Sequence, residues 1–139
     1  MKWSRHDQGN VIVEFIGVTV ALLIPISIIA NASIVVANAY LATEVSARTA
    51  ARAYVVSSND ASGTRAAANA ARLLIRDFDS RDTNLRTHIS CTRHPCLSPG
   101  GFVTVRVSKQ VRLDLPRIFG ARQVSVSSQH SAVVDEMRN

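Results

Sequence analysis

Residues 9–30 read GNVIVEFIGVTVALLIPISIIA, and the architecture of the chain turns on this stretch. From Val11 to Ala30 nearly every side chain is apolar. As a helix rising about 1.5 Å per residue, such a run spans roughly 30 Å, the thickness of a bilayer's hydrocarbon core. It predicts a transmembrane helix over residues 10–30. No Lys or Arg lies between Arg5 and Arg48, so the nearest cations, Lys2 and Arg5, sit on the N-terminal side of the run. The positive-inside tendency then predicts a single-pass protein of the cell membrane, with its N-terminus cytoplasmic and residues 31–139 extracytoplasmic.

Two residues interrupt the run. Glu14 puts a carboxylate a few positions into an apolar helix, which costs up to a few kcal/mol, less near the interface, and such residues tend to be functional. The plainer alternative is that Glu14 sits harmlessly at headgroup depth. Pro25 removes a backbone donor and frees the carbonyl of Ala21, predicting a helix kink or local melting there. Proline is, however, tolerated in membrane helices. An ordinary secretory signal peptide competes as an explanation, because Ala30-Asn-Ala32 supplies an A-x-A site. Its apolar region would be longer than the usual 7–15 residues, and Glu14 would interrupt it. An uncleaved signal anchor is the third possibility.

Outward from the run, helical composition continues without Gly or Pro from Asn31 to about Val56. Glu44, Arg48 and Arg52 recur every four residues as a solvent-facing stripe. Ala39, Ala42, Ala50 and Ala53 share another face and allow a second element to approach closely. The membrane helix therefore continues as the spine of an external domain, near 70 Å in all at about 1.5 Å per residue. Residues 57–63, SSNDASG, read as a break. A second helix follows over Thr64–Phe78, with Ala67, Ala70, Ala71, Leu74, Ile75 and Phe78 as its apolar stripe and Arg65, Arg72 and Arg76 opposite. Asp77 to Asp82 mark its end. The period then changes to two. Leu85, Thr87, Ile89 and Cys91 alternate, then Val103, Val105, Val107, Val111 and Leu113, with Arg106 and Arg112 opposite. Lys109 falls on the apolar side, predicting a bulge or strand edge. Val124 and Val126, continuing weakly to Val134, give a third strand. Turn signals at Pro99-Gly-Gly101 and Leu115-Pro116 separate the three. The expected fold class is α+β: a long N-terminal helix, a second helix, and an antiparallel meander burying its valine face on the spine.

Cys91 and Cys96 are the whole thiol inventory. An even pair, close together, beyond a membrane anchor, favours one small disulfide loop in an oxidising compartment, pinning the turn between two strands. His88 and His94 nearby raise a metal alternative, and free thiols a third. Against metal, His88 and Cys91 would face opposite sides of a strand, and the ligand spacing is irregular for structural zinc.

No paired-carboxylate constellation, glycine-rich phosphate loop or nucleophile elbow is present, so no enzyme and no cofactor are expected. Cys91 with His94 is too generic a pair to count, and His130 reads as a surface residue. The net charge is +6, from 16 Lys and Arg against 10 Asp and Glu. These are interspersed rather than clustered as in a nucleic-acid arm. Arg81, Arg86, Arg93, Arg106, Arg112, Arg117 and Arg122 would have to come together to make a patch. No aromatic residues are interleaved for base stacking, so no specific nucleic-acid partner is expected.

The segment Gly9-Asn-Val-Ile-Val-Glu14-Phe15 resembles the processing site of type IV pilin-like proteins. The resemblance implies that a prepilin peptidase cuts after Gly9 on the cytoplasmic side. Residues 1–9 would then be a leader peptide, Asn10 the new N-terminus, and Glu14 the fifth mature residue, followed by the aromatic Phe15. The Asn10 amine and the Glu14 carboxylate would lie one helical turn apart, each offsetting the other's cost near hydrocarbon. Processing site, long helix, second helix, the paired-cysteine turn before Pro99-Gly100, the Val103-x-Val105-x-Val107 strand and Leu115-Pro116 together resemble the actinobacterial TadE-like proteins. These are minor pilin-like (pseudopilin) components of the tight-adherence, Flp-type pilus system. The family implies a structural, non-catalytic role in pilus assembly, with residues 31–139 as a pilin-like domain, at the membrane or in a surface pilus. Its implied partners are membrane lipid, the prepilin peptidase, the pilus assembly platform with its secretion ATPase, a major pilin and other pilin-like subunits. A membrane-anchored adhesin or DNA-binding module outside any filament is the competing function.

Overall fold

The computed structural model describes residues 7–78, 84–113, 115–116, 120 and 122–137, with side chains from residue 11 onward. The six residues before Asp7, and with them Lys2 and Arg5, lie outside this set, as do Asp79, Asp82, Arg81 and Arg117. The elements in chain order are α1 (Asp7–Val55), α2 (Asp60–Phe78), β1 (Leu85–Cys91), β2 (Phe102–Leu113) and β3 (Arg122–Val133). The chain divides into two compact units between Ile34 and Val35, and α1 contributes to both.

In the first unit α1 is apolar on all sides and its large side chains are open, Val13 being 67 % and Phe15 70 % exposed. Among the described residues it is the one helix long and apolar enough to cross a membrane, and none of its most apolar window is buried. Its hydroxyl residues fold back on the helix. Thr19 Oγ1 donates to the Phe15 carbonyl at 2.8 Å, Ser27 Oγ to Leu23 at 2.7 Å and Ser33 Oγ to Ile29 at 2.8 Å. Each of these hydroxyl hydrogens is thereby turned onto the helix's own backbone. Local melting at Pro25 is not found: the residues on both sides remain helical. A proline removes one donor, and the rest of the hydrogen-bond ladder closes around it.

The second unit is a three-stranded antiparallel meander, in the order β1-β2-β3, with helices against one face. Val103, Val105 and Val107 point inward at 0 % exposure, and their neighbours in the core are Ala47, Ala50, Ala51 and Tyr54 of α1 and Ala67 and Ala71 of α2. Alanines let the backbones of helix and strand come close, so the branched valines fill the space between them. Burial of each valine contributes roughly 1.5–3 kcal/mol. A smaller cluster of Ala39, Val111 and Val126 lies at the other end. Across the interface Thr43 Oγ1 and Ser128 Oγ share a buried hydrogen bond of 3.2 Å. The solvent-facing stripe of α1 is as the spacing predicts, with Arg48 3.7 Å from Glu44.

Two expectations need correcting. There is no bulge at Lys109. It pairs with Leu85 on one side and Val126 on the other in uninterrupted registers, and is only 4 % exposed. What does occur there is the start of β1, since Leu85↔Lys109 is its first rung, so the strand-edge expectation holds and the bulge does not. The second correction is the start of α2. The helix begins at Asp60, not Thr64, and takes in half of the supposed break. Asn59 caps it: Asn59 Oδ1 accepts the Ser62 N–H at 2.8 Å, while the Asn59 N–H donates to Ser62 Oγ at 3.2 Å. This reciprocal pair is a capping box with serine in place of the usual Glu or Gln. The buried stripe of α2 is accordingly Gly63, Ala67, Ala71 and Ile75, and Phe78 ends the helix 56 % exposed.

Candidate functional site

The N-terminal motif is carried by α1. Gly9 and Asn10 lie in the helical backbone, which starts at Asp7 and runs through the Gly9–Asn10 bond to Glu14 and Phe15. Asn10 and Glu14 are thus four residues apart on one helix, a rise of about 6 Å and close to a full turn. Glu14 is exposed among Val11, Ile12 and Val13, each more than 60 % exposed, so its carboxylate stands on an otherwise apolar surface. A carboxylate so placed has strong reason to pair with a cation wherever water is scarce.

The second constellation surrounds the cysteines. Cys91 and Cys96 form a disulfide, with an S–S distance of 1.97 Å and Cα atoms 5.3 Å apart. It joins the end of β1 to the turn leading into β2, as expected. The loop is densely hydrogen-bonded. The Phe102 N–H donates to Thr92 Oγ1 at 2.9 Å, Arg93 Nη1 to the Pro99 carbonyl at 2.8 Å, and Ser98 Oγ to the Pro95 carbonyl at 2.6 Å. The His94–Pro95 peptide is cis. Gly100 has φ of 69°, a conformation side chains rarely adopt, and there the chain turns back to let the Val134 carbonyl accept the Gly100 N–H at 3.1 Å. Both sulfurs are used in the disulfide. His88 faces outward and Cys91 inward on β1, and no cluster of three or more metal-ligating side chains occurs among the described residues. His130, read as a surface residue, is half-buried in β3 opposite Val105.

Asp60 ties this loop to α2. Its Oδ2 accepts the Cys96 N–H at 3.1 Å across 36 residues of sequence. Its Oδ1 is buried and has no hydrogen-bond partner among the described residues. The charge is placed in the first turn of α2, where the unpaired N–H groups of the helix favour an anion. Next to it, Tyr54 is 2 % exposed. Burial, and after it the negative charge of Asp60, raise the Tyr54 hydroxyl above its ordinary 10.0. Gly63 lies under the same ring: a Cβ there would meet Tyr54 ring carbons at 3.1 Å. Neither Asp60 nor Tyr54 stands out in the linear sequence. The signal for the first was Asn59-Asp60-Ala-Ser62, a capped helix start hidden inside a run of turn formers.

Comparison with protein-family models, with curated proteins and with solved structures finds no match to this chain.

Proposed function

We propose that this protein is a structural, non-catalytic pilin-like subunit of the TadE-like type. In this proposal it is processed after Gly9 by a prepilin peptidase and acts in the assembly of a tight-adherence pilus. The carrying observation is the placement of Glu14: a lone carboxylate on an apolar, exposed helix, one turn beyond the Gly9–Asn10 bond. Cleavage there creates an amine at Asn10, and an amine and a carboxylate one turn apart stabilise each other near hydrocarbon. Before cleavage Glu14 lacks that partner. In a filament the same carboxylate has a second cation within reach, the amine of a neighbouring subunit. The α+β unit beyond Ile34, with its disulfide, is the part presented outside the membrane.

Co-expression with a prepilin peptidase tests the proposal. The chain should shorten by nine residues and start at Asn10. Gly9→Ala should block the cut, while Ala32→Leu should leave it unchanged. Recovery of the chain with Met1 intact beside an active peptidase would refute it.

A further inference from the structure

The fold sorts charge in a way the linear sequence conceals. Among the described residues no Asp or Glu lies in a strand, whereas the strands hold Arg86, Arg106, Lys109, Arg112 and Arg122. The pleat then divides the cations between faces. Lys109 turns inward, and Arg86, Arg106 and Arg112 share the outer face. His88 joins them directly opposite Arg106. The remaining outward positions of β2 and β3 are dominated by short hydroxyl and amide side chains. Thr104 is hydrogen-bonded to Ser131 at 2.7 Å, and Gln129 Oε1 accepts from Arg106 Nη2 at 2.7 Å. None of the three arginines has an ion-pair partner among the described residues. Among the described residues this face therefore carries positive charge with no acidic partner, on a stiff platform.

It also has relief. A polar cavity of about 280 Å³ opens across the three strands, with Ser108, Gln110 and Ser125 among its lining residues and Arg86 on its wall. Arg106 and Arg112 flank it along β2, each two residues from the cavity and so roughly 7 Å from it at strand spacing. Asn84, Leu85 and Lys109 complete its lining, Lys109 almost fully buried beneath the outer face. The outward part of the floor is hydroxyl and amide, with cations at its side and at both ends.

We propose that this face binds an anionic polysaccharide, with one sugar ring seated over Ser108, Gln110 and Ser125 and flanking acid groups on Arg86, Arg106 and Arg112. Guanidinium groups suit carboxylate, sulfate or phosphate oxygens, and the hydroxyl and amide floor suits sugar hydroxyls. Nucleic acid fits less well, because the only aromatic residue on the face is Phe102 at its far end, which leaves nothing at the cavity for bases to stack on. A bilayer surface fits less well too, since the apolar residue in the cavity lining, Leu85, is half-buried on the inward side of β1 and does not project for insertion. This binding surface is independent of the pilin-like proposal and of leader processing.

The test uses the full chain in neutral detergent, with size-defined polygalacturonate as probe and an uncharged glucan as control. Arg86→Gln/Arg106→Gln/Arg112→Gln should weaken binding by roughly tenfold or more, taking three exposed charge contacts together. Arg65→Gln/Arg72→Gln/Arg76→Gln removes the same net charge from α2 and should leave affinity unchanged. Gln110→Glu, placing a carboxylate on the floor, should weaken binding with the arginines intact. Circular dichroism and melting temperatures confirm that each variant is folded. The proposal is overturned by any of four results: no binding of the wild type to polygalacturonate, equal binding to the neutral glucan, equal loss in the α2 variant, or tighter binding at the same salt to duplex DNA or to phosphatidylglycerol vesicles.

Discussion

Replacement of Asp60 by Ala removes the link between α2 and the disulfide loop, and its size can be worked from three terms. Leaving the part-buried Cys96 N–H without its acceptor at 3.1 Å costs about 1–3 kcal/mol. Removing a negative charge from the first turn of α2 costs about 0.3–1 kcal/mol more. Acting in the other direction, Oδ1 is buried without a partner, and its removal returns on the order of 1 kcal/mol of desolvation. Taking the middle of each range, the expected net loss is about 1.7 kcal/mol. In a domain of this size each kcal/mol moves the melting temperature by about 4–8 °C, so a fall of roughly 7–13 °C is expected. The assay is thermal unfolding of the full chain in neutral detergent, followed by near-ultraviolet circular dichroism of tyrosine. Asp60→Asn keeps an acceptor for Cys96 and loses only the charge, so it should lose less than half as much as Ala. A melting temperature for Asp60→Ala within about 2 °C of wild type would refute the assignment of Asp60 as a link. So would an Asn variant as unstable as the Ala variant.

Gly63→Ala should be destabilising by about 1 kcal/mol, the reverse of the gain usual for Gly→Ala inside a helix, because the new methyl meets the buried Tyr54 ring at 3.1 Å. In a Tyr54→Ala background the same change should be neutral or stabilising, and chemical denaturation measures both. Cys91→Ala/Cys96→Ala should lower stability by about 2 kcal/mol on the loop-entropy model; reductant should lower the wild type to match and leave the double variant unmoved. For Tyr54 the sign of the pH dependence follows from its raised hydroxyl: the folded state holds the proton more tightly than the unfolded chain. Its contribution is therefore complete below about pH 10 and is lost as pH rises above that value. Tyr54→Phe should flatten this alkaline decline in a melting-temperature series from pH 8 to 12.

Much of the fold is legible from periodicity. Alternating valines mark β2, the Leu85–Cys91 alternation marks β1, and the alanine faces of α1 and α2 foretell close packing. Periodicity succeeds at these places because burial on one face leaves few alternatives. It fails at residues 57–63, where Ser, Asn, Asp and Gly are turn formers by composition, yet Asn59 and Ser62 use the same polar groups to start a helix. Gly63 compounds the error: it reads as a breaker, and it is a glycine because Tyr54 occupies the space of its side chain. Lys109 misleads for another reason. A charged residue on the apolar side of a strand suggests an irregular backbone, whereas the ladder stays regular and β1 begins beside it. Alternation alone places Arg106 and Arg112 on one face of β2, but joining Arg86 to them takes the strand register, because it lies in a separate strand. The motif from Gly9 to Phe15 is the opposite case, since four-residue spacing on a helix is enough to relate Asn10 to Glu14.

The unbroken registers of β2 carry a consequence for how this chain can change in length. Every β2 residue from Val103 to Lys109 is paired on both sides, and the pairs keep step from one end of each ladder to the other. Deleting or inserting one residue within that segment would swap every side chain beyond it to the opposite face. Arginines would move into the alanine-lined interior and valines out into water. Homologous chains should therefore vary in length in the loop at 92–101 and in the segment joining β2 to β3, while the strands change only by substitution or by paired steps of two residues.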